Sequence, residues 1–325
     1  MAKQVYVTRI IPQPGIDLLR QHAKVDVNES DKPLSQQELQ AKVEQYDALV
    51  TLLTDDVSKQ VLDVPTHLKI VANVAVGYNN IDVPAATAKD IMVTNTPGVL
   101  TDTTADFAWA LLMSVARRVC EAQAFLRAGE YKGWGILMML GEDVHDKTLG
   151  IVGFGRIGQA VAKRARGFNM DILYYDPMVN AEDVAPALGA RKTDLNTLLS
   201  QSDYVSVHTL LTEETHHLIG KPQFEAMKSD SYLINTSRGP VVDEPALAAA
   251  IRNHEIKGAA LDVFENEPQV YADLLELPNV LLTPHIASAS VATRTKMATM
   301  AAQNVIDAFE GKRPPNLINE ETFNG

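Results

Sequence analysis

The amino-acid sequence alternates short runs of apolar residues with segments in which apolar residues recur every three or four positions. Short apolar runs are typical of parallel strands buried on both faces, and the amphipathic segments are typical of helices that cover them. The first series of predicted strands comprises Val5 to Val7, Ala48 to Val50, Ile70 to Ala72 and Ile91 to Val93. Predicted helices lie between them around Ile16 to Leu19 and Ala85 to Lys89.

A turn-rich break, Asn95 to Gly98, precedes a long predicted helix from about Thr103 to Arg127. This helix is apolar round most of its surface, so we expect it to be buried on more than one side, against its own domain or a second subunit. The second series of strands comprises Leu149 to Val152, Ile172 to Tyr175, Tyr204 to Val207, Tyr232 to Asn235, Gly258 to Leu261 and Val280 to Leu282. With a final helix from about Ser290 to Phe309, the pattern predicts two doubly wound α/β units.

Length and composition narrow the class of protein. The 325 residues correspond to about two domains. A net charge of −12 disfavours binding to nucleic acid or to anionic membranes. The single cysteine, Cys120, excludes an intramolecular disulfide, and we expect it to be buried. Because Arg9 and Pro12 interrupt the first apolar stretch, we predict no signal peptide and a cytoplasmic protein.

A glycine-rich loop, GFGRIG at residues 153–158, directly follows the strand that ends at Val152. Gly153 suits a tight turn, Gly155 a close approach of the backbone to a pyrophosphate, and Gly158 close packing of helix on strand. The next strand leads to Asp176, 18 residues after the last glycine, whose carboxylate suits the ribose hydroxyls of adenosine. The arrangement predicts a Rossmann dinucleotide-binding domain, and Asp176 favours NAD(H) over NADP(H) because it repels a 2′-phosphate.

Three polar segments follow strands of this second series, where parallel sheets place their ligand crevice. Arg238 could bind a carboxylate bidentately. His285 could donate a proton to a carbonyl oxygen, and Glu267 could orient and charge its imidazole. These three residues are the predicted catalytic set.

Over essentially its whole length, the sequence resembles the D-isomer-specific 2-hydroxyacid dehydrogenases. The resemblance rests on GFGRIG, the Asn-Thr-Ser-Arg-Gly segment at 235–239 with Val242-Asp243-Glu244 after it, Leu261 to Phe264 with Glu267-Pro268, and Pro284-His285-Ile286. It implies a Rossmann dinucleotide-binding domain at residues 101–285. It also implies a discontinuous flavodoxin-like substrate domain at 1–100 and 286–325, with the substrate in the cleft between the two. Separately, the apolar surface of the helix around 103–127 predicts a homodimer through that helix.

The resemblance also implies roles for single residues. It makes Arg238, Glu267 and His285 the catalytic residues. It assigns substrate binding to Leu53, Val76, Gly77, Leu100 and Arg238, with the backbone N–H groups of Val76 and Gly77 on the substrate carboxylate. It assigns the cofactor contacts to Gly153, Gly155, Arg156, Ile157, Gly158, Asp176, Thr104, Thr209, Thr236, Asp262 and Ser288. No metal is implied.

Within the family, the segments around Thr51 to Thr54 and Gly129 to Trp134 are most similar to glyoxylate and hydroxypyruvate reductases. The expected reaction is NADH-dependent reduction of a small anionic 2-oxo acid. D-Lactate dehydrogenase, 2-ketogluconate reductase and a non-enzymatic NAD-sensing corepressor remain alternatives.

The sequence leaves the location of Trp134 open: it could line the substrate pocket, lie at a subunit boundary or belong to the core. The pair His216-His217 is expected at the surface.

Overall fold

The computed structural model describes residues 2–323. They form two compact units, one of residues 2–100 with 289–323 and one of residues 101–288. The chain passes from one unit to the other between residues 100 and 101 and between residues 288 and 289, whereas the predicted domain bounds are 100/101 and 285/286. No helix among the described residues is long and apolar enough to cross a membrane.

The first unit is built on a parallel five-stranded sheet in the order β2-β1-β3-β4-β5, the flavodoxin-like order. Its strands are β1 Gln4–Val7, β2 Lys24–Val27, β3 Ala48–Thr51, β4 Ile70–Asn73 and β5 Met92–Thr94. Its helices are α1 Gln13–Arg20, α2 Gln36–Gln45, α3 Lys59–Leu62, α4 Val83–Thr87 and the C-terminal α13 Val291–Phe309. Strands β3 and β4 are buried along their whole length, as their apolar runs predict.

The second unit contains a parallel seven-stranded sheet in the order β12-β11-β10-β9-β6-β7-β8, a doubly wound Rossmann topology. Its strands are β6 Thr148–Val152, β7 Asp171–Tyr175, β8 Ala190–Lys192, β9 Tyr204–Val207, β10 Tyr232–Asn235, β11 Gly258–Leu261 and β12 Val280–Leu282. Its helices are α5 Thr101–Ala116, α6 Val119–Arg127, α7 Arg156–Ala165, α8 Ala185–Leu188, α9 Leu195–Gln201, α10 Lys221–Ala226, α11 Glu244–Arg252 and α12 Ala272–Leu275. The prediction of two doubly wound parallel sheets is confirmed.

The long helix predicted at 103–127 is in fact two helices. The chain breaks at Arg118, which has a left-handed φ of 53°. Helix α5 packs within its own unit on α7, β10 and β11, whereas α6 contains no buried residue. The expectation that Cys120 is buried is wrong, because it lies on α6 and is exposed. Strands β2 and β8 were not predicted, since polar residues interrupt both.

Candidate active site

The glycine loop after β6 has the close contacts that its three glycines predict. Gly153 has a left-handed φ of 93°, and a β-carbon there would lie 2.6 Å from the carbonyl carbon of His208. A β-carbon on Gly158 would lie 2.2 Å from the carbonyl oxygen of Gly153. At Gly155, the residue before α7, an added β-carbon would meet nothing within 4 Å. The loop is therefore tightly packed on the sheet side and open where the backbone is predicted to approach a pyrophosphate.

The residues around this loop fit a dinucleotide. Helix α7 begins at Arg156, so its free N–H groups and positive dipole end suit a phosphate. The hydroxyls of Thr209 and Thr236, which follow β9 and β10, are buried and have no hydrogen-bond partner within the described part of the chain. Because buried polar atoms are normally paired, these two hydroxyls are suited to a ligand.

Asp176, directly after β7, is held close to the same loop. Its Oδ2 accepts a hydrogen bond from the N–H of Phe154 at 2.7 Å. Its Oδ1 accepts from the N–H groups of Met178 and Val179, both at 2.9 Å. Because three backbone donors fix the carboxylate, it cannot easily move aside for a second anionic group at this end of β7.

His285 and Glu267 form a hydrogen-bonded pair at the carboxyl ends of β12 and β11. The imidazole Nδ1 lies 2.9 Å from Oε2 and 3.2 Å from Oε1 of Glu267. Burial raises the pKa of the Glu267 carboxyl, but the hydrogen bond and charge of His285 outweigh it, so that the pKa lies below its ordinary value. The carboxylate therefore stays ionised and binds Nδ1, while Nε2 remains the atom of His285 suited to exchange a proton.

The turn that carries His285 is held by Asp262. His285 has a left-handed φ of 54°, uncommon for a residue with a side chain. The fully buried carboxylate of Asp262 accepts hydrogen bonds from the N–H groups of Ile286 at 2.9 Å and Ala287 at 2.7 Å. It also accepts the Thr283 hydroxyl at 2.6 Å. Asp262 thus fixes both sides of the turn, and its cofactor contact stays a prediction.

Arg238 follows β10 and lies within electrostatic reach of Glu267. Burial lowers the pKa of its guanidinium, and the charge of Glu267 opposes that effect. Its Nη1 donates to the carbonyl of Ser237 at 2.7 Å, and its own carbonyl accepts from Asn235 Nδ2 at 3.0 Å. The second unit therefore brings the three predicted catalytic residues to the same edge of its sheet.

Among the predicted substrate-binding residues, Leu53, Val76, Gly77 and Leu100 all belong to the first unit. Val76 and Gly77 lie in the loop after β4 and are half-buried, and Leu53 follows β3 and is half-buried too. Leu100 is buried. The remaining predicted cofactor residues belong to the second unit: Thr104 is buried on α5, Arg156 and Ile157 form the first turn of α7, and Ser288 follows the His285 turn.

The other histidines have different surroundings. Burial lowers the pKa of His208 to about 3, and its Nε2 lies 2.8 Å from the Ser206 hydroxyl. His217 pairs through Nε2 with Glu265 at 2.7 Å, beside exposed His216. No group of three or more potential metal ligands occurs in residues 2–323.

Glu244 ends the Val242-Asp243-Glu244 segment, and the sequence alone indicated no role for it. The structure shows it buried, with its carboxylate accepting the N–H of Glu265 at 2.9 Å. Burial raises the pKa of this carboxyl. Glu244 therefore anchors the segment that leads to Glu267. In the sequence, Glu244 follows an apolar pair by two residues and stands at the start of a helix. Nothing in that position indicates that its carboxylate binds the backbone of Glu265, 21 residues further along.

Comparison with known proteins defines the class. Residues 109–287 match the family described as D-isomer specific 2-hydroxyacid dehydrogenase, NAD binding domain. The chain belongs to this family and is an oxidoreductase with an NAD-binding domain. More particularly, it is 52% identical over 323 residues to the glyoxylate reductase of Korarchaeum cryptofilum, in an alignment that covers 99% of this chain and 97% of the relative.

Solved structures agree with this assignment. The TT0316 protein of Thermus thermophilus superposes with a TM-score of 0.91 at 42% identity, covering 97% of this chain and 99% of that one. The NADPH-dependent glyoxylate/hydroxypyruvate reductase of Sinorhizobium meliloti, solved with NADP and malonate, gives a TM-score of 0.89 at 31% identity. The superposition covers 100% of this chain and 99% of that one.

Proposed function

We propose that this protein reduces a small 2-oxo acid, glyoxylate or hydroxypyruvate, to the corresponding 2-hydroxy acid with NADH. The observation that carries the proposal is the 2.9 Å pair between His285 Nδ1 and Glu267 Oε2, which leaves the other imidazole nitrogen available to a substrate bound by Arg238. The names of the relatives, glyoxylate reductase and glyoxylate/hydroxypyruvate reductase, support the choice of substrate.

In this mechanism the protein positions the acid and moves one proton. A bound reduced nicotinamide would supply the hydride for the carbonyl carbon. His285 holds a proton at Nε2 and delivers it to the carbonyl oxygen. Glu267 accepts the Nδ1–H bond and stabilises the imidazolium, while Arg238 binds the carboxylate and carbonyl of the substrate and so prepares the reacting geometry.

The test of this assignment is His285→Ala. We expect kcat with glyoxylate to fall by about 10²- to 10⁴-fold, since general acid catalysis contributes about that much, while the Kd of NADH measured by fluorescence stays the same. His254→Ala, at an exposed histidine of the same unit, is the control and should keep wild-type kcat. Retained turnover in His285→Ala would exclude His285 as the proton donor.

For the cofactor, we propose NADH in preference to NADPH because the carboxylate of Asp176, held by three backbone N–H groups, would repel a 2′-phosphate bound at this end of β7. The NADPH-dependent Sinorhizobium meliloti relative makes this a necessary measurement. The ratio of kcat/KM for NADH to that for NADPH should fall in Asp176→Asn, which keeps the side-chain shape and one acceptor oxygen. A wild-type preference for NADPH would contradict the proposal.

The proposed cofactor contacts are those at the ends of the strands and the start of α7: Gly153, Gly155, Arg156, Ile157, Gly158, Asp176, Thr104, Thr209, Thr236, Asp262 and Ser288.

Leu53 and Leu100 are proposed to limit the size of the substrate, and the N–H groups of Val76 and Gly77 to bind its carboxylate. Steady-state rates with glyoxylate, hydroxypyruvate, pyruvate and 2-ketogluconate test the choice of acid. Turnover of none of them would favour the non-enzymatic NAD-sensing alternative.

We also propose that the protein is a cytoplasmic homodimer. Helix α6 has no buried residue, and the segment after it exposes a series of large apolar side chains, which are 47–78% exposed: Tyr131, Trp134, Ile136, Leu137 and Leu140. An exposed apolar patch of this kind usually marks an interface. This places the proposed contact on α6 and residues 131–140 rather than on α5. A doubly charged variant, Trp134→Glu with Leu137→Glu, should shift the mass in light scattering from dimer to monomer, and a monomeric wild type would contradict the proposal.

A further inference from the structure

Three consecutive carbonyl groups in the loop after β4 are each held from within the first unit. The Ala75 oxygen accepts the backbone N–H of Thr96 at 2.8 Å. The Val76 oxygen accepts the side-chain amide of Asn95 at 2.8 Å. The Gly77 oxygen accepts the side-chain amide of Asn73 at 3.0 Å. Three peptide planes in a row are therefore fixed by donors on β4 and on the segment that follows β5.

The direction of each carbonyl also sets the direction of the next N–H group. A trans peptide is planar, so its N–H points opposite to its C=O. The only cis peptide in the described chain is Glu267–Pro268, so the peptides after Ala75, Val76 and Gly77 are all trans. Their N–H groups belong to Val76, Gly77 and Tyr78 and point away from the three donors. Among residues 2–323, none accepts a hydrogen bond from the N–H of Val76 or Gly77.

We infer that Asn95, together with Asn73, is a positioning residue of the carboxylate site. By holding the carbonyl of Val76, the Asn95 amide presents the N–H of Gly77 to the substrate. Asn73 holds the carbonyl of Gly77, and so fixes the next peptide plane of the same loop. This inference rests on the proposed function, and it assigns a task to two side chains that do not themselves touch the acid.

The residues that support the loop are buried or half-buried, and hydrogen bonds connect them to one another, as pre-organisation requires. Asn73 is fully buried and accepts the Thr51 hydroxyl at 3.1 Å. Its amide donates a second hydrogen bond, to Asn80 Oδ1 at 3.1 Å, and Asn80 in turn donates to the carbonyl of Leu52 at 3.1 Å. On the other side, the carbonyl of Asn95 accepts from Asn304, on α13, at 3.3 Å. Turning any of the three peptides therefore breaks its hydrogen bond to Thr96, Asn95 or Asn73, and the two asparagine side chains are themselves held in this network.

The chemistry of the ligand follows from this arrangement. Successive N–H groups that lack protein acceptors form an anion site. Each hydrogen bond to a carboxylate is stronger than one to a neutral oxygen, so a peptide that turns away weakens binding of a 2-oxo acid by about tenfold or more. Because the carboxylate keeps its charge during reduction, this binding is similar in the ground and transition states. Its loss should therefore raise KM and leave kcat nearly unchanged.

The experiment compares Asn95→Ala with the wild-type enzyme. The KM for glyoxylate, and the Kd of the unreactive analogue oxamate for the enzyme–NADH complex, should both rise about tenfold. The Kd of NADH should not change. Asn319→Ala is the matched control: this buried amide also holds backbone in the first unit, bonding Val93 N at 2.8 Å and the Ile91 carbonyl at 2.9 Å, but not the loop after β4. It should lower the melting temperature without changing the KM for glyoxylate.

A second variant separates hydrogen bonding from packing. Asn95→Leu keeps the volume of the side chain and removes its donor, so it should show the same rise in KM as Asn95→Ala and serves in its place if the alanine variant does not fold. A wild-type KM in Asn95→Leu, or equal changes in the constants for glyoxylate and NADH, would overturn the inference. If the wild-type enzyme reduces no 2-oxo acid, the proposed function fails instead. In that case the Kd of oxamate in the same variants still decides the role of Asn95.

Discussion

Gly239 packs directly against the backbone of Phe264. A β-carbon at position 239 would lie 1.9 Å from the Phe264 carbonyl carbon and 2.3 Å from the Glu265 nitrogen. Gly239 directly follows Arg238, and Phe264 donates its N–H to Glu267 at 3.1 Å. The segments that carry the guanidinium and the carboxylate are therefore fixed to each other through a contact between two main chains.

Gly239→Ala should separate these two segments. Since backbone atoms cannot rotate away as a side chain can, we expect a loss of about 1–3 kcal/mol of unfolding free energy and a fall in kcat/KM for glyoxylate. The measurements are urea unfolding and steady-state kinetics. Gly167→Ala is the control, because an added β-carbon there meets nothing within 4 Å. Wild-type stability and activity in Gly239→Ala would show that the contact is unimportant.

The pair of Glu267 and His285 predicts a pH dependence. The pKa of the Glu267 carboxyl lies below its ordinary value, so the carboxylate stays ionised throughout the ordinary carboxyl range. Its charge beside His285 is lost only as the pH falls through that lowered pKa. Glu267→Gln removes the charge, and kcat/KM at neutral pH should fall by about tenfold or more. We expect the wild type to lose activity in acid as Glu267 is protonated, and this loss should be absent from the pH–rate profile of Glu267→Gln. Glu276→Gln, at an exposed carboxylate of the same unit, should leave the profile unchanged.

His208, a half-buried residue whose ring nitrogen Nδ1 is buried, predicts an acid sensitivity of the fold. Its pKa is lowered by burial to about 3, so between that value and about 6.5 the unfolded chain binds a proton that the folded chain does not. Stability therefore falls as the pH drops below about 6.5. At pH 5 this single group should cost about 2 kcal/mol relative to neutral pH. In His208→Gln, urea unfolding should show that much less destabilisation between about pH 7.5 and pH 5; an unchanged pH dependence would place the sensitivity elsewhere.

For two glycines of the loop, substitution by alanine should affect different properties, the stability of the fold at one and the affinity for NADH at the other. In Gly158→Ala the new methyl group would meet the Gly153 carbonyl oxygen at 2.2 Å, so the melting temperature should fall. In Gly155→Ala the methyl group enters open space, so the fold should keep its melting temperature while the Kd of NADH rises. Calorimetry and NADH fluorescence measure the two quantities. A Gly155→Ala variant that binds NADH normally would contradict the proposed pyrophosphate position.

The strand ends were the most predictable part of this protein. Each of β10, β11 and β12 is a short apolar run closed by a polar residue, and parallel strands bring such ends to one edge of a sheet. The pairing of Glu267 with His285 could therefore be anticipated from spacing and residue type alone. The break at Arg118 could not, because the residues on both sides of it favour helix and only the left-handed backbone reveals the turn.

The residues that hold the site were harder to predict than those proposed to act in it. Asn95 lies in a turn-rich break of the sequence, and nothing nearby indicates that its amide reaches the Val76 carbonyl. The position of Asp262 at a strand end predicts a ligand residue, yet its carboxylate holds the turn at His285. Hydrogen bonds between side chains and distant main chain depend on tertiary structure, and they leave no periodic pattern in the sequence.

The left-handed backbone at His285 has an evolutionary consequence. That conformation costs a residue with a side chain about 1 kcal/mol, and glycine would adopt it without this penalty. Glycine, however, carries no proton. Relaxation of the main chain and the proposed proton transfer thus favour different residues at position 285. Under the proposed mechanism, a descendant released from selection for catalysis could relieve this local backbone strain by the same substitution that ends its chemistry.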